Sequence, residues 1–344
     1  MVARVMGIAA MVALVAGCAA RLPGGRPREL PPVTAMVPLE LGCGKGSPAA
    51  LAQCVEVPRL AADAARIRVE RTQGDPRSVT RALCEIRLAE LGFETTRDAF
   101  ASGVNVIGRR EGVTRPKEQV LLSARHTAAD DGCGDPSGTS GVATLFEAAR
   151  ILGRAAHDRT LVVACWDDGD EAALGSASYA RRARERGDEV IASLTLDGVA
   201  SFSAAPDTQR LPERFDELFP DHSLWLLARD HRADFLLVVT DDRSRDAAEL
   251  VKQRGVSVGL PVEVLALTER MKREPSGPER RAQASFWDAR LPGILLTDTG
   301  PYRAPEGDCS AAPRGGTRLD FAFTGRVTRA TVAALAELVV LRTR

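Results

Sequence analysis

Six short apolar runs limit most narrowly what this chain can fold into. QVLLSA (119–124), TLVVAC (160–165), VIASLTL (190–196), FLLVVT (235–240), VEVLAL (262–267) and GILLT (293–297) are apolar almost without interruption. A strand with one wet face alternates, whereas an unbroken run of this length fits a strand covered on both faces. Segments of helical period stand between the runs. Val142, Leu145, Phe146, Ala149 and Leu152 fall on one stripe, as do Val327, Thr331, Ala334, Leu335 and Leu338 near the C-terminus. Residues 61–100 predict two helices leading into a strand over 94–100, and NVIGRR (105–110) predicts the next. Such alternation defines an α/β fold with a mixed, mostly parallel central sheet sandwiched between helices. Ligand sites in these sheets lie beyond the carboxyl ends of the strands. The polar residues of 125–135, 167–171, 197 and 298–308 are therefore where chemistry is expected.

The N-terminus reads differently. Arg4 precedes an apolar run of about a dozen residues, short of the roughly 20 that cross a bilayer as a helix. Small residues then lead to a cysteine, Val15-Ala16-Gly17-Cys18, which resembles a bacterial lipobox. The organisation expected is a lipoprotein signal peptide over 1–17, a lipidated Cys18 with a Pro/Gly/Arg-rich tether over 18–36, and one α/β domain over 37–344. Acyl chains on Cys18 anchor the protein at about 0.8 kcal/mol per buried methylene. The expected location is the bacterial cell envelope, facing the periplasm or the exterior, with the membrane as one partner.

Lys plus Arg equals Asp plus Glu at 46 each, and no basic block exists, which argues against nucleic acid as a partner. The charged run over 269–281 predicts a solvated loop. Outside the cytoplasm six further cysteines suggest disulfides. Cys43 and Cys54 are placed to staple the start of the domain, Cys165 in its apolar strand is expected as a buried free thiol, and other connectivity stays open.

Four stretches at the strand ends, VLLSARHTAADDGCGDPSGTSGVATLFEAARIL, RTLVVACWDDGDEAALGSASYARR, LTLDGVA and FWDARLPGILLTDTGPYRAP, resemble metallopeptidase family 28. This family of two-zinc aminopeptidases also includes glutaminyl cyclases and non-catalytic members. The resemblance implies a single-domain zinc-exopeptidase-like (phosphorylase/hydrolase-like) fold. It also implies a site of two bridged metals with a glutamate base. Carried over residue by residue, the first His position holds Arg125, the bridging Asp position Ser137 and the general-base position Gly169. Of the remaining ligands, Asp170 is a shortened carboxylate, Asp197 is kept, and the last His falls near Asp308. His126 reaches the first ligand position only through a one-residue bulge, since alternation otherwise turns it to the opposite face. The same fold brings Cys133 and Cys309 to one rim, as a possible disulfide. His157, His222 and His231 match no ligand position and are expected at the surface.

A guanidinium about 4 Å from a dication is repelled by roughly 2 to 8 kcal/mol between effective dielectrics of 80 and 20. Arg125 is therefore expected to replace the metals, paired with Asp170 or Asp197, and no cofactor or catalytic residue is expected. The function expected is that of an inactive zinc-aminopeptidase homologue, an envelope lipoprotein binding a peptide or another protein. The alternative is an active aminopeptidase with zinc rearranged, or a single metal, on Asp170, Asp197, Asp308 and His126. Two other possibilities are calcium at the acidic run Asp167, Asp168, Asp170 and Glu171, and a serine nucleophile in SGTSG (137–141). Clustered strand-end carboxylates are more often solvated and partly hydrogen-bonded, and the serine string lacks nucleophile-elbow spacing.

Overall fold

The apolar runs form six contiguous strands of a single eight-stranded sheet. The computed structural model describes residues 43, 46–73, 75–126, 136–168, 173–273, 281–303 and 319–340. Strands β1 (Glu94–Phe100), β2 (Gly103–Arg110), β3 (Arg115–Arg125), β4 (Arg159–Trp166), β5 (Glu189–Leu196), β6 (Leu236–Asp241), β7 (Val262–Leu267) and β8 (Ile294–Thr297) lie in the order β1-β2-β4-β3-β5-β8-β6-β7. The central pairs β4·β3, β3·β5 and β5·β8 are parallel, as is β6·β7, while β1·β2, β2·β4 and β8·β6 are antiparallel.

Helices cover both faces, which is why these strands read as unbroken apolar runs. Along β3, Val120, Leu122 and Ala124 enter one core cluster and Leu121 another. The first face carries α1 (Pro48–Gln53), α2 (Val57–Gln73), α3 (Pro76–Glu90), α4 (Pro136–Leu152), α8 (Arg245–Ser257) and α10 (Phe321–Leu338). The second carries α5 (Leu174–Arg186) and α9 (Ala282–Asp288). The segment between β5 and β6 forms only two short helices, α6 (Phe215–Leu218) and α7 (Pro220–Leu227), and packs Phe219 over Val239, Leu265 and Leu295.

Two local devices fix the site. Gly141 lets α4 press onto the end of β5, because a Cβ there would stand 2.7 Å from the Leu196 carbonyl oxygen. Asp298, at the end of β8, accepts from the backbone N–H groups of Ala200, Ser201 and Gly300 at 2.9, 2.6 and 2.9 Å, tying the β5 and β8 exits together.

The cysteines correct one expectation. Cys43 is bonded to Cys54, and Cys165 is bonded to Cys84 of α3. Cys165 is fully buried, but it points to the face that α3 covers, where Cys84 is equally buried. An apolar strand position shows burial and not what lies opposite. Cys18, Cys133 and Cys309 lie outside the described residues. Among the described residues no helix is long and apolar enough to cross a membrane.

Candidate functional site

The carboxyl ends of β3, β4, β5 and β8 meet where the sheet order predicts a ligand site. Beyond β5, the Asp197 N–H donates to the Leu296 carbonyl at 3.1 Å and the Gly198 N–H to the Ser137 carbonyl at 3.3 Å. Gly198 has φ +68°, a left-handed turn that sets Asp197 facing β3. Ser140 completes the tie from α4, its hydroxyl accepting from the Val199 N–H at 3.1 Å.

Asp197, only 8% exposed, stands between two guanidinium groups. Arg125 at the end of β3 approaches Oδ1 at 4.0 Å, and Arg281 just before α9 approaches Oδ2 at 3.1 Å. Of the two partners expected for Arg125, Asp197 lies among the described residues and is in contact. Arg281 went unforeseen. Its one sequence signal was position, at the close of a charged run and just ahead of the buried Phe286 and Trp287.

The other acids of this rim hold the scaffold. Asp167 and Asp168 are hydrogen-bonded, as expected, but not solvated, because the exit of β4 runs beneath β2 and α5. Asp167 is fully buried, bonded to Arg77 Nε at 2.5 Å and to the Val104 N–H at 2.8 Å. Asp168 accepts from the Ser176 N–H at 2.8 Å. Burial pushes its carboxyl up to about 6, against the Ser176 hydrogen bonds and the attraction of Arg125.

His126 does not reach the ligand position. No bulge intervenes, and its Nε2–H donates to the Val104 carbonyl of β2 at 3.2 Å, whereas Arg125 turns to the β5 side. Burial holds its imidazole down at about 4, so it is neutral at physiological pH. The surface assignments of two other histidines are corrected as well. His157 is buried, with Nδ1 donating to the Arg159 carbonyl at 2.6 Å, and His222 is half-buried, 2.5 Å from Glu263. The Arg159 contact is only two residues away, and it is the packing around His157 that the sequence does not show, whereas Glu263 lies 41 residues from His222. Gly169, Asp170, Glu171 and Asp308 lie outside the described residues.

From Asp197 a cleft enclosing about 100 Å³ runs under the β5–β6 segment. Ser137, Asp197 and Arg281 stand at one end and His222 and Glu263 at the other. The walls between are apolar, with Leu237, Val239, Leu265 and Leu295 from the sheet and Phe215, Phe219 and Trp225 above.

The sheet order and its flanking helices form an exopeptidase-like α/β fold. Residues 105–234 match the model of peptidase family M28. No curated protein matches the sequence. Among solved structures, the Legionella pneumophila LapA aminopeptidase is similar at 14% identity, with 85% of this chain and 72% of that one covered and a TM-score of 0.59. A putative zinc-dependent exopeptidase of Bacteroides vulgatus is 12% identical, covering 85% and 97% of the two chains at a TM-score of 0.52. The Fimbriiglobus ruber glutaminyl cyclase is 10% identical, covering 81% and 94%, also at 0.52. These likenesses are of fold.

The described residues do not fit the zinc pair that such relatives imply. Among them no three His, Cys, Asp or Glu side chains converge on a metal position. The one ligand kept, Asp197, faces two cations instead. Ser137 offers a neutral hydroxyl where a bridge must be anionic, so no chemical step through a metal follows from this site.

Proposed function

We propose that this chain is a catalytically inactive M28 relative, anchored in the bacterial envelope through Cys18, which binds peptide in the cleft beside Asp197. The observation that carries the reading is the pair of guanidiniums on the Asp197 carboxylate, at 3.1 and 4.0 Å. They neutralise an almost buried acid that would otherwise require a metal, since a buried charge without a partner costs several kcal/mol. They also repel a dication, by roughly 8 kcal/mol per guanidinium at 4 Å and an effective dielectric of 20. Gly169 at the general-base position of the family pattern has no group to activate water. The apolar cleft is the feature left with a use, as a site for an apolar group on a peptide.

The test is an aminopeptidase assay of the purified full chain on a panel of aminoacyl substrates, with added zinc and separately with chelator. The expected result is no turnover above buffer in either condition. Chelator-sensitive release of amino acids would reject the proposal in favour of a rearranged metal site.

A further inference from the structure

A second hollow lies at the end of the sheet opposite Asp197. β2 runs antiparallel to β4, so the close of β2, the start of β1 and the entry to β4 meet at the amino end of the parallel strands. A cavity of about 350 Å³ opens there, lined by Glu94 of β1, Arg109 and Arg110 of β2, Glu111 in the turn beyond, and His157 in the loop before β4. The Val113 N–H donates to the His157 carbonyl at 3.0 Å, which fixes that turn against that loop. The volume falls within the roughly 300–1,000 Å³ typical of small-molecule sites.

Four of these side chains are charged, and none forms an ion pair with a described residue. Glu94 and Arg109 are opposed in register across β1 and β2, where opposite charges ordinarily engage. Arg109 instead donates to the Pro116 carbonyl and Arg110 to the Gly92 carbonyl, each through one bond of 3.3 Å. A guanidinium carries five N–H donors, so one such bond leaves most of them for a ligand. Alternation turns Arg109 and Arg110 to opposite faces of β2, and Arg110 is the one whose charge is felt by His157.

His157 adds a buried acceptor. It is 2% exposed, with its Nδ1–H committed to the Arg159 carbonyl, and its Nε2 has no hydrogen-bond partner among the described residues. Burial, joined by the charge of Arg110 and opposed by the Arg159 bond, holds the ring below its ordinary pKa. The imidazole is therefore neutral at physiological pH and Nε2 accepts. A hydroxyl group complements that nitrogen, and an anion complements the guanidinium beside it.

We propose that this hollow binds a small polyhydroxylated anion, a sugar bearing a carboxylate or phosphate, with the anionic group on Arg110 and hydroxyls donating to His157 Nε2 and to the Glu111 carboxylate. A bare anion leaves His157 unanswered and meets the carboxylates of Glu94 and Glu111. A neutral sugar leaves Arg110 unanswered. The hollow shares no lining residue with the cleft beside Asp197, so the proposal stands or falls independently of peptide binding there.

Isothermal titration calorimetry of the full chain separates the two halves of the ligand. The probes are glucuronate, its neutral twin glucuronamide, glucose 6-phosphate, acetate and inorganic phosphate. Glucuronate or glucose 6-phosphate is expected to bind about tenfold more tightly than glucuronamide and than either bare anion, and the tighter of the two names the anionic group. Arg110→Gln should bring glucuronate and glucuronamide within about twofold of each other. Arg110→Lys, which keeps the charge but not the fork, should retain part of the preference and guards against a folding defect in the first variant. The His157 Nε2 resonance should move on saturation with the preferred sugar and stay in place with acetate. No binding of either anionic sugar at millimolar concentration, equal binding of acid and amide, bare anions binding as tightly, a preference surviving Arg110→Gln, or an unmoved His157 resonance would each overturn the proposal.

Discussion

Replacing Arg125 by methionine keeps much of the side-chain volume and removes the charge. The Arg125 side chain is 13% exposed and Asp197 9%, so water recovers little of what is lost. At 4.0 Å and an effective dielectric of 20 the direct attraction is about 4 kcal/mol. Breaking a buried pair from one side typically costs about 3–5 kcal/mol. Arg281 stays on the other oxygen at 3.1 Å and retains part of the compensation, which brings the expected loss to about 3 kcal/mol. With an unfolding entropy of about 2.1 cal/mol/K per residue over roughly 300 ordered residues, the melting temperature should fall by roughly 5 °C. Differential scanning calorimetry of wild type and variant at pH 7 measures this directly. Zinc added to the wild type should leave the transition where it is. A variant melting with the wild type would refute the electrostatic role given to Arg125.

Other consequences are separable. Asp168 has its folded pKa raised to about 6, so it binds protons more tightly folded than unfolded and its contribution is lost as pH rises from about 4 through 6. Asp168→Asn, which keeps an acceptor for Ser176, should stabilise the protein by of order 2 kcal/mol at pH 7.5 and hardly at pH 4, in paired thermal melts. His126 has the opposite sign, since its folded pKa is depressed to about 4 and its stabilisation disappears as pH falls from about 6.5 toward 4. Its imidazole nitrogen shifts should therefore still be those of a neutral ring at pH 5.5. The Cys84–Cys165 bond closes a loop with a sequence separation of 81, worth about 4 kcal/mol by chain entropy, so the Cys84→Ala/Cys165→Ala variant should unfold at clearly lower urea. Arg303 is 4% exposed and donates to the Ser201 and Phe235 carbonyls and, at 3.2 Å, to the Thr299 hydroxyl. Burial lowers its pKa to about 10, which leaves it charged at neutral pH. Arg303→Met orphans those carbonyls, and a loss of about 3–5 kcal/mol is expected in denaturant unfolding.

What could be read from the sequence depended on the range of the physics involved. The apolar runs lie in the observed strands to within a few residues, because burial on both faces is written into consecutive positions. Arg125 and Asp197 were legible as site residues because each sits directly after such a run. The segment that roofs the cleft was not legible. Its helices are four and eight residues long, and its packing relies on Phe215, Phe219 and Trp225 meeting strands far along the chain. The same limit hid the Cys84–Cys165 bond, the His222–Glu263 pair and Arg281. In each case one partner's local sequence says polar or buried, and only the fold supplies the other.

Two guanidiniums rather than metal face Asp197, and the zinc content of the full chain tests that most directly. Purified without chelator, dialysed against micromolar zinc and freed of unbound metal, it should carry well under one zinc per ten chains by elemental mass spectrometry. One or two zinc ions per chain, released by chelator, would show that Arg125 and Arg281 do not hold the place assigned to them.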